Sequence, residues 1–81
     1  MLIKLRLHDI LKEKVGAGRA DGDGILKQQL RDGSTVNDLV VSLGLNREYV
    51  GLIIVNGRQA AFEFSLNEGD SVELFSPMSG G

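Results

Sequence analysis

Val36, Leu39, Val40 and Leu43 fall at i, i+3, i+4 and i+7, so they form one apolar stripe along a helix of about two turns. Thr35 stands where its side chain can accept from the third helical N–H. Asp38, three residues on, is a shortened form of the acidic partner in a capping box. Gly44 follows the stripe, where a left-handed residue ends a helix. A helix this short has little stability of its own and needs tertiary cover along its apolar face. The rest of the chain must therefore supply a sheet for it to lie on.

The strands are legible on either side of the helix. Ile3, Leu5 and Leu7 alternate with Lys4, Arg6 and His8, the period of a strand with one buried face. Ile10, Leu11 and Val15 suit one or two helical turns, and residues 16–24, with their glycines and aspartates, read as a mobile loop. Residues 25–31 return as a second strand, although Gln28 and Gln29 disturb its alternation. Leu52, Ile53, Ile54 and Val55 read as a central strand buried on both faces. Asn56-Gly57 then signals a tight hairpin, with residues 58–61 pairing back. Phe62, Phe64 and Leu66 are expected core residues on an irregular crossing. Residues 67–70 make a turn, residues 71–75 the last strand, and Pro77 stops it near Ser76 because proline cannot donate to a ladder. The fold class is α+β: strands packed on one face of a single main helix, a roll. Residues 1–76 form one domain and residues 77–81 a flexible tail.

The composition excludes more chemistry than it suggests. With 81 residues, a deep enclosed catalytic cavity is not expected. The net charge of −2 gives no general attraction to nucleic acid or to an anionic membrane. No apolar run approaches the ~20 residues of a membrane-spanning helix. There is no cysteine, hence no disulfide, thiolate metal ligand or cysteine nucleophile; cytoplasmic residence is the simplest compartment. His8 is the only histidine and reads as a surface strand residue, so no metal site is expected. Gly16-Ala17-Gly18 lacks the third glycine of a dinucleotide fingerprint, and no P-loop occurs. Asp21-Gly22-Asp23-Gly24 lacks the later ligands of a calcium loop.

The tail is the informative segment. Gly80 and Gly81 close the sequence, and with 11 glycines in the chain this has a chance of about 2%. Glycine has no Cβ, so such an arm can thread a narrow site on another protein. A carboxylate is a poor electrophile and needs activation, as an acyl phosphate or acyl adenylate, before a nucleophile can attack it. On the last strand Val72 and Leu74 share one face, while Ser71, Glu73 and Phe75 share the other. If the first pair faces the core, Phe75 is turned outward with Met78 just beyond, a docking patch next to the arm. The alternative, that Phe75 folds into the core margin, stays open at this point.

Over its whole length the chain resembles the ubiquitin-like sulfur carrier family, a β-grasp fold ending in Gly-Gly. The resemblance is carried by Leu66-Asn67-Glu68-Gly69-Asp70, Val72, Phe75, Pro77 and Gly80-Gly81. The segment from Phe75 to Gly81 is similar to the tail of the small subunit of molybdopterin synthase, and residues 12–16 resemble that subunit's first helix. Residues 45–51 are short, as in the thiazole-synthesis carriers. The resemblance implies that the Gly81 carboxylate is adenylated by a ubiquitin-activating-type enzyme using ATP and Mg²⁺, with no cofactor bound by the chain itself. A sulfur donor then makes the thiocarboxylate, which is delivered to a synthase large subunit, most simply for the molybdopterin precursor. Gly80 and Ser79 give the arm access, and Phe75, Pro77, Met78 and Lys12 contact partners. The chain is then a cosubstrate or noncatalytic subunit and not an enzyme. Thiazole synthesis and tRNA thiolation share the tail chemistry. A protein modifier would form an isopeptide bond through Gly81 instead. A β-grasp interaction module, RNA-facing or otherwise, would be indifferent to the loss of Gly81.

Overall fold

The computed structural model describes residues 1–8, 10–11 and 25–77. Strand β1, Leu2–Leu7, buries Ile3, Leu5 and Leu7 and exposes the residues between them. Strand β2, Ile25–Gln29, runs antiparallel to it with Leu5 opposite Leu26. Helix α1, Val36–Ser42, begins at Thr35, whose hydroxyl accepts from the Asp38 N–H at 3.2 Å. The Asp38 carboxylate accepts in return from the Thr35 N–H at 2.9 Å. Aspartate is therefore long enough to close the capping box here. Gly44 has a φ of 77°, as expected of a residue ending the helix. A 3-10 turn, Arg47–Tyr49, leads into β3, Leu52–Val55, then β4, Arg58–Gln59, and β5, Ser71–Phe75.

The five strands form one mixed sheet in the order β2-β1-β5-β3-β4. β1 and β5 pair in parallel, and the other neighbours are antiparallel. Val36, Leu39 and Val40 of the helix meet Ile3, Leu5, Val72 and Leu74 from the two inner strands in one core with Leu11 and Leu66. Each of these is essentially out of contact with solvent. The arrangement is a β-grasp, with the helix on one face of the sheet.

Four expectations need correction. The central strand is β5, not β3, because the β1–β5 pairing inserts the last strand between β1 and the hairpin. Nor is β3 buried on both faces: Ile53 and Val55 are buried, while Leu52 and Ile54 are half-buried on the side away from the helix. The hairpin does turn at Asn56-Gly57, with φ values of 52° and 83°, but its return strand is only Arg58–Gln59. Phe64 is not a core residue; it is 42% exposed, whereas Leu66 is buried and Phe62 packs against the core margin. The reason lies in the backbone. The carbonyls of Phe62 and Phe64 accept from the N–H groups of Asn37 and Val36 at 2.9 and 3.0 Å. This crossing satisfies the helix N-terminus with its main chain, and Phe64 is left facing outward.

Candidate functional site

The alternation of the three inner strands sorts their side chains into a buried set and a set facing away from α1. The open side carries Lys4 and Arg6 from β1, Ser71, Glu73 and Phe75 from β5, and Leu52 and Ile54 from β3. Register makes these residues neighbours. Leu52 stands opposite Phe75, Ile54 opposite Glu73, and Arg6 beside Glu73 across the parallel ladder. Beyond β1, Lys4 lies opposite Lys27 of β2. Among the described residues, neither lysine nor Arg6 has an ion-pair partner. A shallow depression of about 110 Å³ lies here, lined by Lys4, Arg6, Ile25, Ser71 and Glu73 among others. It is too small for a substrate-sized ligand.

Phe75 falls between the two alternatives posed by the sequence. It lies on the open face, as the strand phase requires, but it is only half-exposed because His8 covers one side of its ring. The two rings are parallel within 2°, with centroids 4.1 Å apart. Parallel pairing explains the contact: Leu7 is in register with Leu74, so the next residue on each strand also lies side by side on the same face. The His8 N–H continues the ladder by donating to the Leu74 carbonyl at 3.0 Å. The His8 Nε2 atom lies 2.9 Å from a Glu73 carboxylate oxygen. His8 is thus a structural partner of the last strand, which its reading as a surface strand residue missed. The missing signal was the pairing itself, because β1 and β5 are far apart in sequence and only the fold makes them adjacent.

The chain leaves the sheet at Pro77, which is exposed. Opposite this exit stands Gly51, whose N–H donates to the Phe75 carbonyl at 2.8 Å. At the opposite end of β5, Asp70 is buried and accepts from the Asn56 side-chain amide at 2.9 Å and from the Asn67 N–H at 2.8 Å. The Asn56 oxygen in turn accepts from the Ser71 N–H at 2.9 Å. This clasp ties the Asn56-Gly57 hairpin to the turn that launches β5. Lys12 and residues Met78, Ser79, Gly80 and Gly81, singled out in the sequence, lie outside the described residues, as does the loop 16–24. Among the described residues, no group of three or more histidine, aspartate or glutamate side chains is placed to hold a metal.

A family model described as Mut7-C ubiquitin matches residues 1–79. The chain belongs to the Mut7-C ubiquitin family. A comparison with curated protein sequences finds no match. Among solved structures, the fold is similar to that of a putative molybdopterin converting factor subunit 1 from Pyrococcus furiosus. The identity is 22%, covering 96% of this chain and 99% of that one, with a TM-score of 0.73. It is similar also to SAMP1 from Haloferax volcanii, at 24% identity over the full length of both chains and a TM-score of 0.70. A third likeness is to a structure of the complex of subunits 1 and 2 of molybdopterin-converting factor from Helicobacter pylori, at 20% identity, full coverage of both chains and a TM-score of 0.61. At these identities the likenesses bear on fold. They place this Mut7-C ubiquitin chain among the ubiquitin-like β-grasp proteins, the group to which its closing residues pointed. No helix among its described residues is long and apolar enough to cross a membrane.

Proposed function

We propose that this chain is a sulfur carrier in which Gly81 bears the reacting carboxylate. The observation that carries the reading is Gly80-Gly81 standing a few residues beyond Phe75, where the central strand of a β-grasp sheet ends. In the proposed reaction, the Gly81 carboxylate attacks the α-phosphorus of ATP, with Mg²⁺ held by an activating enzyme, and displaces pyrophosphate. A sulfur nucleophile from a donor then adds to the acyl adenylate and expels AMP, leaving a thiocarboxylate. The chain holds no cofactor and supplies no catalytic group; it is the cosubstrate. Phe75 and Pro77 contribute the docking surface at the base of the arm, with Met78 and Lys12 as further partner contacts. Ser79 and Gly80 give the arm a narrow cross-section.

The fold is shared with proteins named as subunit 1 of molybdopterin converting factor, one of them in complex with subunit 2. We therefore propose a synthase large subunit as the receiving partner and the molybdopterin precursor as the sulfur acceptor, in the cytoplasm. A protein-modifying role is the second reading, because SAMP1 shares the fold and a lysine amine would capture the same adenylate. The test is an intact mass with C-terminal fragmentation of the protein isolated from its cell, then incubated with ATP, a sulfide source and its activating enzyme. Fragmentation is required because replacing oxygen by sulfur adds nearly the mass of a methionine oxidation, and Met78 is close to the arm. Sulfur localised on Gly81 is the expected result. A chain that continues beyond Gly81, or a carboxylate left unchanged by an enzyme active on another carrier, overturns the proposal. Conjugates to lysine in place of sulfur favour the modifier.

A further inference from the structure

Of the five glycines among the described residues, Gly33, Gly44, Gly57 and Gly69 have positive φ and open space where a Cβ would stand. Gly51 is the opposite case. Its backbone is in a conformation any residue adopts, but a Cβ there would run into the backbone of the departing arm. It would strike the Pro77 Cα, stand 2.8 Å from the Pro77 nitrogen and lie 3.1 Å from the Ser76 carbonyl oxygen. These are main-chain atoms, which cannot rotate aside as a flexible side chain can. Space, and not backbone freedom, is what requires glycine at this position.

We infer that Gly51 is a positioning residue for the C-terminal arm: the gap left by its missing side chain fixes the path on which Pro77 leaves the sheet. Three features of the exit act together. The Gly51 N–H holds the Phe75 carbonyl at 2.8 Å. Proline restricts φ at residue 77, so the chain has few other directions available. The Pro77 backbone then crosses at van der Waals distance over Gly51. An alanine here forces Pro77 to swing away or the Gly51–Phe75 bond to open, and either outcome changes the direction in which the chain leaves the sheet. The open sheet face at Leu52 and Ile54 is untouched by the change, while Pro77 itself shifts. Gly51 thus governs where the chain leaves the sheet more than how the domain docks.

The inference rests on the carrier reading and separates from it in one set of assays. The wild type is first charged with its activating enzyme under ATP and sulfide, and failure at that step rejects the carrier reading itself. With a wild type that charges, Gly51→Ala is compared by steady-state kinetics with the carrier as varied substrate. Most of the docking face stays in place, so KM rises by less than kcat falls. Misdirection of the arm by about an ångström lowers kcat by roughly 10- to 100-fold. In parallel, the nuclear Overhauser contact between Gly51 and Pro77 is lost, while cross-peaks from the helix and β1 stay in place. An unchanged kcat with folded Gly51→Ala overturns the inference and leaves the carrier reading standing. A rise in KM at constant kcat overturns it as well, since the residue would then serve docking. The double variant Gly51→Ala/Pro77→Gly guards against a folding defect. A pliant residue at position 77 lets the backbone move off the new Cβ, so the double variant recovers melting temperature relative to Gly51→Ala alone. A double variant no more stable than the single one shows that Pro77 is not what the side chain meets, and overturns the inference.

Discussion

The ring stack between His8 and Phe75 makes a quantitative prediction, because both partners can be truncated and the coupling read directly. Replacing a fully buried phenylalanine by alanine costs about 3–5 kcal/mol, and a half-buried ring at a strand end scales to about 2 kcal/mol. His8→Ala removes the stack, worth about 1 kcal/mol. It also removes the contact with Glu73, whose side chain is 34% exposed against 28% for His8. That places the contact in the surface range, well under 1 kcal/mol, so the single variant costs about 1 kcal/mol in all. Each variant removes the same stack, and the double variant therefore loses about 2 kcal/mol where independent sites would lose about 3. With a urea slope near 1 kcal/mol/M for a domain of this size, the midpoint falls by about 2 M for Phe75→Ala, about 1 M for His8→Ala and again about 2 M for the double variant. Urea titrations of the four proteins, followed by circular dichroism, measure this. A double variant at the simple sum, with coupling below about 0.3 kcal/mol, would mean that the rings do not meet in solution. The same proteins separate the two roles of Phe75. If it docks the partner, Phe75→Ala weakens binding to the activating enzyme more than its stability loss explains. A loss of stability with unchanged affinity assigns it to the sheet margin instead.

Two further tests address the base of β5 and the open face. Asp70→Ala strands the Asn67 N–H and the Asn56 amide, and loses about 2–3 kcal/mol by urea titration; a loss below about 0.5 kcal/mol would show that water replaces the carboxylate freely. Lys27→Glu places an opposite charge across from Lys4 and raises stability by roughly 0.2–1 kcal/mol, an effect that shrinks in high salt; if the open face docks an acidic partner, the same change weakens that binding, and no change in either quantity removes the lysine pair from consideration.

What the sequence disclosed and what it hid divide along one physical line. Local signals were reliable: the alternation of β1, the stripe and capping box of α1, and the hairpin at Asn56-Gly57 each depend on residues within a few positions of one another. The order of strands in the sheet does not. β5 takes the centre because its ladder with β1 closes across more than sixty residues, and no local pattern encodes that partner. Leu52 and Ile54 were therefore assigned to a fully buried strand, when an apolar run at a sheet's second position can equally line an open docking face. Phe64 was misjudged for a related reason. Its hydrophobicity suggested the core, but its backbone carbonyl was needed at the helix N-terminus, and the main chain settled its orientation. The need for glycine at position 51 is equally non-local, because it comes from the Pro77 backbone that the fold brings beside it.

These long-range contacts converge on one strand. β5 is flanked on both sides, by β1 in parallel and β3 in antiparallel, so its last residues are held more firmly than those of an edge strand. From the β1 side, His8 fixes the Phe75 ring and extends the ladder to Leu74. From the β3 side, Gly51 fixes the main chain at Phe75 and leaves room for Pro77. At the other end of the strand, Asp70 ties its launching turn to the hairpin. A domain whose only task was to present a surface would have no need to brace this strand at both ends. The carrier role proposed above gives the bracing a use, because slack at the strand's end would be passed on to the residues that follow. The bracing therefore makes a specific demand on the chemistry: variants of His8 and Gly51, which touch no reacting atom, should depress transfer through the arm before they affect the fold. If transfer instead proves insensitive to both while the domain stays folded, the braced strand end serves stability alone.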